Sequence, residues 1–210
     1  YLISASLTTR TTGIITEGTP VFPHAGRFAS IIERHRVTIF KAGVTFLKSI
    51  MSNPQSRVDA EQYDMKALRV ATFCAEPVSP AVQQFGMELM CPQYINSYWA
   101  TEHGGIVWTH FYGNEDFPLR PDAHTYPLPW IFGDVWVAEG TDPEGRWRYR
   151  IAEVGEKGEI VITRPYPYLA RTIWGDAEQF GRPGWKGDAR RYTQTYWGKW
   201  AGAWAYTQGD

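Results

Sequence analysis

Two cysteines, Cys74 and Cys91, are all that 210 residues contain, so no disulfide framework holds the chain and a reducing compartment suits it. No cluster of Cys and His has the spacing of a zinc site. No apolar run approaches the roughly 20 residues that cross a bilayer, and no basic start precedes a signal-like core. The expectation is a cytoplasmic protein with no membrane partner. Charge of one sign is also missing: 21 basic and 22 acidic residues leave a formal net charge of −1. That balance gives no broad footprint for nucleic acid or an anionic membrane, so any phosphate recognition must be local and the partner a small molecule. The Gly-x-Ser-x-Gly elbow of serine hydrolases is absent, as are internal repeats and low-complexity tracts.

What is present is a hydrophobic content of 43%, enough for a real core in one large domain or two small ones. Aromatics make up 15%, and none of the ten tryptophans precedes Trp99. Packing accounts for part of that enrichment, and the rest is expected to line a pocket.

The chain changes character near residue 118. Before it, strand and helix patterns alternate. Thr11–Thr16 is β-branched and predicts a strand, closed by Glu17-Gly18 and the Pro20–Pro23 turn. Phe28, Ile31, Ile32 and His35 recur at helical spacing and predict a helix ending near Arg36. Val37–Phe40 is a short apolar strand, so strand, helix and strand suggest a parallel βαβ unit. A helix over Val44–Met51 is stopped by Asn53-Pro54, because proline disfavours helical geometry in the residue before it, and a polar link follows from Gln55 to Asp64. Leu68–Cys74 has the near-continuous apolar character of a strand covered on both faces. Ser79-Pro80 supplies a cap and a first-turn proline for a helix that turns Val82, Phe85 and Leu89 inward. From Pro118 onward, prolines, aromatics and short strands such as Val135–Ala138 and Glu159–Ile162 replace helices, with a turn at Asp142–Gly145. The fold class is therefore α/β, a parallel βαβ layer over 1–117 followed by a smaller β-rich subdomain over 118–210. The Gly181–Lys199 stretch, rich in Gly, Arg, Trp and Tyr, has no clean periodicity.

One stretch organises the rest. Tyr94-Ile-Asn-Ser-Tyr-Trp-Ala-Thr-Glu-His-Gly105 passes from an apolar strand to an amide, two aromatics, a hydroxyl, a carboxylate and paired glycines. Strand ends that feed such loops are where α/β sheets converge side chains on an open crevice. The preceding strand delivers Ala75-Glu76-Pro77 at its own carboxyl end. Both loops are expected to meet one crevice.

The stretch resembles the Tyr/Trp-x-x-Thr-Glu-x-Gly signature of AMP-forming acyl-CoA synthetases, the adenylate-forming family. Ala75-Glu76-Pro77 before it and Tyr206-Thr-Gln-Gly-Asp210 after it follow the same family order. Glu17–Pro23, Arg171–Asp176 and Trp99 look most like the acetyl- and propionyl-CoA synthetase branch, and the resemblance covers almost the whole chain. It implies ATP, Mg²⁺, coenzyme A and a small carboxylic acid as reactants, on part of the large N-terminal domain of such an enzyme. Within it, Tyr98 would stack on adenine with the Ala75-Glu76-Pro77 backbone on the other face, Asn96 would accept the adenine amino group, and Asp210 would accept hydrogen bonds from the ribose hydroxyls. Thr101 would bond the α-phosphate or the acyl carboxylate, its competing use being a helix N-cap. Glu102 would bind Mg²⁺, a hard ion suited to carboxylate oxygen. Trp99 would shorten the acyl pocket, and Cys74, where the branch often has valine, would make it slightly larger or more polar, fitting propionate or 3-hydroxypropionate.

Some positions depart from the pattern. Ala100 and His103 stand where acetyl-CoA synthetases usually have glutamine and threonine, and His103 reads as a structural loop histidine. The family's Ser/Thr/Gly-rich triphosphate loop with its lysine has no counterpart here, and the mobile carboxyl-terminal domain would begin beyond Asp210. The chain thus reads as the middle of a longer enzyme, whose N-terminal and C-terminal segments would complete the catalytic centre. Two alternatives remain at this level: a non-catalytic adenylate-binding module in a larger fusion, and an adenylation domain that loads a carrier protein.

Overall fold

The computed structural model describes residues 2–74, 76, 78–114, 116–117, 119–121, 126–174 and 187–208. They form two compact units, residues 1–99 with 106–126, and residues 100–105 with 127–210. The fold is mixed α/β, with a parallel layer in the first unit and an antiparallel sheet in the second.

The first unit begins with α1 (Leu2–Thr8) and α2 (Arg27–His35). The predicted strand at Thr11–Thr16 does not form; residues 11–16 are exposed and have no strand assignment. β-branched residues favour strands only where a neighbouring strand and a packed face receive them, and among the described residues none pairs with this stretch. Helix α2 ends where Arg36 turns left-handed (φ 49°) and the Val37 N–H bonds back to Ile32. Phe28, Ala29 and Ile32 face the core.

β1 (Ile39–Gly43) starts two residues later than expected and runs directly into α3 (Val44–Met51). The polar link expected after it is α4 (Pro54–Ala60). Asn53 stops one helix and caps the next: its side-chain oxygen accepts the Gln55 N–H at 3.1 Å, with Pro54 preset at the first helical position. The buried side of α4 is carried by Ser56 and Ala60, too small and polar to register as an apolar stripe.

β2 (Val70–Cys74), α5 (Pro80–Leu89) and β3 (Tyr94–Tyr98) complete the parallel layer, with Ile39↔Val70 through Gly43↔Cys74 on one side and Ala71↔Tyr94 through Phe73↔Asn96 on the other. β4 (Trp108–Thr109) joins β3 antiparallel, and β5 (Tyr126–Pro127) closes the order β1-β2-β3-β4-β5. Ser79 sits at the cap of α5 without a side-chain cap bond, and Pro80 opens the helix. The face of α5 against the sheet differs in detail from the expected one: Gln83, Gly86 and Leu89 are its buried residues, with Val82 and Phe85 packed beside them. Gln83 is fully buried and donates to the Tyr94 carbonyl at 3.0 Å, so its amide is compensated rather than stranded. At Gly86 an added Cβ would lie 3.0 Å from Leu47 and 3.1 Å from Tyr94, which explains glycine inside this helix.

In the second unit, β6 (Gly133–Thr141), β7 (Trp147–Ile151), β8 (Glu159–Ile162) and β9 (Tyr206–Thr207) form an antiparallel sheet of order β7-β6-β8-β9. The expected turn closes β6 onto β7, with the Gly145 N–H on the Asp142 carbonyl and the Arg146 N–H on the Asp142 carboxylate. Aromatics core this unit: Trp136 stacks on Tyr149 at 3.7 Å, and Trp200 meets both edge-on. Each such pair adds about 0.5–1.5 kcal/mol beyond the area it buries. Part of the stretch without periodicity is α6 (Ala189–Tyr196), capped by Asp188 accepting from the Arg191 N–H. Among the described residues no helix is long and apolar enough to cross a membrane. Cys74 and Cys91 are free thiols, both buried.

Candidate functional site

The two adjacent parallel strands β2 and β3 end at Cys74 and Tyr98, as a site at their carboxyl ends requires. Of the loop after β2, Glu76 is described, while Ala75 and Pro77 lie outside the described residues. The Glu76 carboxylate turns to α3, accepting the Thr45 hydroxyl on one oxygen and the Lys48 ammonium on the other at 2.7 Å. Lys48 first and Thr45 second hold this carboxyl below its usual range. In the sequence, Thr45 and Lys48 carry no signal beyond their place in the expected Val44–Met51 helix.

Asn96 is buried in β3 opposite Phe73. Tyr98 is half-buried, its ring edge-on to Trp108 at 6.2 Å, and its carbonyl accepts the Val107 N–H at 3.0 Å. Trp99 is half-buried and Cys74 buried. These four residues and Glu76 belong to the first unit.

In the second unit, Thr101–His103 forms one 3₁₀ turn with Ala100, not Thr101, at its cap. The exposed Thr101 is the first residue of that turn, and its carbonyl accepts the Gly104 N–H at 3.0 Å. His103 is a bracket for the turn: its Nδ1 accepts the Ala100 N–H at 2.8 Å and its carbonyl accepts the Tyr166 hydroxyl at 3.0 Å. Burial, opposed by the nearby Glu102 charge, pushes its pKa down to about 4, so the ring is neutral near pH 7. Gly104 closes the turn at φ 75°, where an added Cβ would fall 2.0 Å from the Tyr168 carbonyl oxygen; only glycine fits.

Glu102 receives two donors from distant parts of the chain. The Tyr196 hydroxyl on α6 lies 3.4 Å from one carboxylate oxygen, and the Gln208 amide lies 3.4 Å from the other. Gln208 in turn accepts the Tyr206 hydroxyl at 3.2 Å, and the Tyr196 and Tyr206 rings stack in parallel at 5.4 Å. Burial above all, reinforced by Glu102, raises the Tyr206 pKa, so its phenol stays protonated and donates. Both partners of Glu102 are neutral, and among the described residues no cation pairs with it. Tyr196 and Gln208 stand 94 and 106 residues away, which is why spacing gave no hint of them. Asp210 lies outside the described residues. Among the described residues no group of three or more His, Cys, Asp and Glu gathers as a metal cluster.

A parallel layer with polar residues at its strand ends, together with a separate antiparallel sheet, makes this a mixed α/β protein. The comparisons identify the family: the model of the AMP-binding enzyme family matches residues 1–174, and this chain belongs to that family. It is 34% identical over 187 residues to the acetyl-coenzyme A synthetase of Cupriavidus metallidurans, covering 86% of this chain and 26% of that protein. It is 32% identical over 216 residues to the acetyl-coenzyme A synthetase of Paraburkholderia phymatum, covering 100% of this chain and 29% of the relative. The chain thus spans between a quarter and a third of the length of these relatives. The crystal structure of the anthranilate CoA ligase AuaEII in complex with anthranoyl-AMP shares the fold, with a TM-score of 0.66 at 19% identity, over 95% of this chain and 31% of that one.

Proposed function

We propose that this chain supplies the adenylate- and acyl-binding part of an ATP-dependent short-chain acyl-CoA synthetase. In the first half-reaction a carboxylate oxygen attacks the α-phosphorus of MgATP, the bond to pyrophosphate breaks, and acyl-AMP forms. In the second, the thiol of coenzyme A attacks the acyl carbonyl and AMP leaves. The protein's contribution is chiefly position and electrostatics.

The observation that carries this reading is Glu102. It is presented on a short turn braced by His103 and Tyr166, and its oxygens are held by the neutral groups of Tyr196 and Gln208. Neutral donors orient a carboxylate without cancelling its charge, which leaves that charge for the Mg²⁺ arriving with ATP. Thr101, one residue earlier and exposed, would donate its hydroxyl to the α-phosphate or the acid. Tyr98 and Asn96 at the end of β3, with the backbone of residues 75–77, would hold adenine, and Asp210 the ribose. That the Glu76 side chain is engaged by Thr45 and Lys48 supports a backbone role for its loop, since a tethered side chain fixes where the main chain runs. Trp99 and Cys74 would bound the acyl group: each methylene an indole excludes forfeits about 0.8 kcal/mol of burial for a longer acid. Remaining segments of the intact protein would supply the triphosphate loop and the thioester-forming face, in the cytoplasm.

The test is ATP–pyrophosphate exchange by the intact protein. Label should enter ATP only when acetate, propionate or 3-hydroxypropionate is present. Absence of exchange with every short acid, or exchange driven only by amino acids, would reject the assignment in favour of a binding module or a carrier-loading domain.

A further inference from the structure

We infer that Thr45 and Lys48 of α3 are positioning residues for the nucleotide: by clamping the Glu76 carboxylate they fix the main chain that receives the base, and so set the affinity for adenosine compounds. This rests on the adenine-loop reading given above and adds to it which side chains carry the affinity and how salt reaches it.

Parallel register builds the clamp. β1 and β2 run side by side as far as Gly43↔Cys74, after which one chain enters α3 and the other enters the loop that holds Glu76. Donors and acceptor therefore leave the sheet at the same end. Thr45 and Lys48, three positions apart, share a face of α3, while Val44, Leu47 and Ile50 lock that helix into the core. The Thr45 hydroxyl donates to one oxygen of Glu76, and the Lys48 ammonium donates to the other at 2.7 Å. The same two groups, Lys48 before Thr45, hold the carboxyl below its usual range, so it stays ionised near neutral pH.

A half-exposed ion pair contributes little to stability. What sets this one apart is what it joins. Arg57–Glu61 and Arg146–Asp142 link residues four apart in one helix or turn, whereas Lys48 and Glu76 are 28 residues apart and tie a helix to a loop at a strand end. Ordering that loop before a ligand arrives removes part of the entropy cost of binding, so the benefit falls on affinity rather than on folding. Because the pair is exposed, salt screens it, and affinity should fall with salt even for a nucleoside that carries no charge.

Adenosine is therefore the probe, with Kd measured calorimetrically on the intact protein in about 50 mM and about 500 mM salt. Wild type should bind more weakly at the higher salt. Lys48→Met should bind about threefold more weakly than wild type at low salt and lose the salt dependence, and Lys48→Arg should keep both. Adding Glu76→Gln to Lys48→Met should cost no more than Lys48→Met alone, since both remove the same contact. Wild-type affinity in Lys48→Met overturns the inference, as do additive losses in the double variant or a urea-midpoint loss that matches the lost affinity. If Lys48→Met does not fold, Thr45→Val removes the other donor and should weaken adenosine in the same direction; unchanged affinity there also overturns it. A wild type that binds neither adenosine nor AMP overturns the nucleotide reading itself, whereas adenosine binding indifferent to Lys48 and to salt removes only the clamp.

Discussion

The two units of the chain position polar groups by contrasting means. In the first, aliphatic side chains mixed with phenylalanines such as Phe28 and Phe73 and, among the described residues, no indole pack helices onto a parallel sheet, and polar side chains emerge where strands end, steadied by charged neighbours such as Lys48 on Glu76. In the second, stacked indoles and phenols form the core, and the tyrosine hydroxyls on that framework do the steadying, with Tyr196 on Glu102 and Tyr166 on the His103 carbonyl. An ion pair on a surface helix orients a loop at little thermodynamic cost or gain, whereas a buried phenol couples orientation to core packing. Damage around Glu102 should therefore register as lost stability, and damage around Glu76 as lost binding.

The largest expected effect breaks the aromatic side of that contrast. Trp200 is 1% exposed, packs against Trp136 and Tyr149 and donates to the Thr207 hydroxyl at 2.7 Å. Trp200→Ala should cost about 3–5 kcal/mol, read as a shifted urea midpoint. Acidification comes next. His103 titrates near pH 6.5 when unfolded and about 4 when folded, so the unfolded state binds the extra proton between those values. Its contribution is fully present above pH 6.5 and is lost as pH falls toward 4, up to about 3 kcal/mol; His103→Gln should flatten this part of the stability profile. Gly104→Ala should cost at least about 1–3 kcal/mol from its left-handed backbone alone, with the Tyr168 carbonyl clash displacing the Thr101–His103 turn as well. Tyr196→Phe, which removes one Glu102 donor but keeps the ring stack, should cost about 1 kcal/mol in melting experiments and weaken Mg²⁺ dependence severalfold. The smallest stability change is expected for Lys48→Met: its midpoint should match wild type while KM for ATP rises severalfold. Equal stability losses in Tyr196→Phe and Lys48→Met would dissolve the contrast.

The sequence made some of this legible and hid the rest for identifiable reasons. α2, α3 and α5 announced themselves because their apolar spacing or their Asn53-Pro54 and Ser79-Pro80 boundaries are local signals. α4 did not, since Ser56 and Ala60 bury too little apolar surface to form a stripe. Thr11–Thr16 had strand composition without a strand to pair with, and composition alone cannot report that. Within the candidate site, Thr101 and Glu102 were visible as an ordered run, but Tyr196, Gln208 and Tyr166 reach that run only through tertiary structure.

On the proposed reading, one acyl-adenylate is held by residues of the stretch from Asn96 to Glu102. The most direct measurement is a crystal structure of the intact protein bound to a non-hydrolysable short-chain acyl-adenylate. The expected result places adenine against Tyr98 and the loop of residues 75–77, ribose on Asp210, phosphate beside Thr101 and Glu102, and the acyl chain against Trp99. An analogue bound elsewhere, or Glu102 and Asp210 carboxylates that share no cleft, would contradict it.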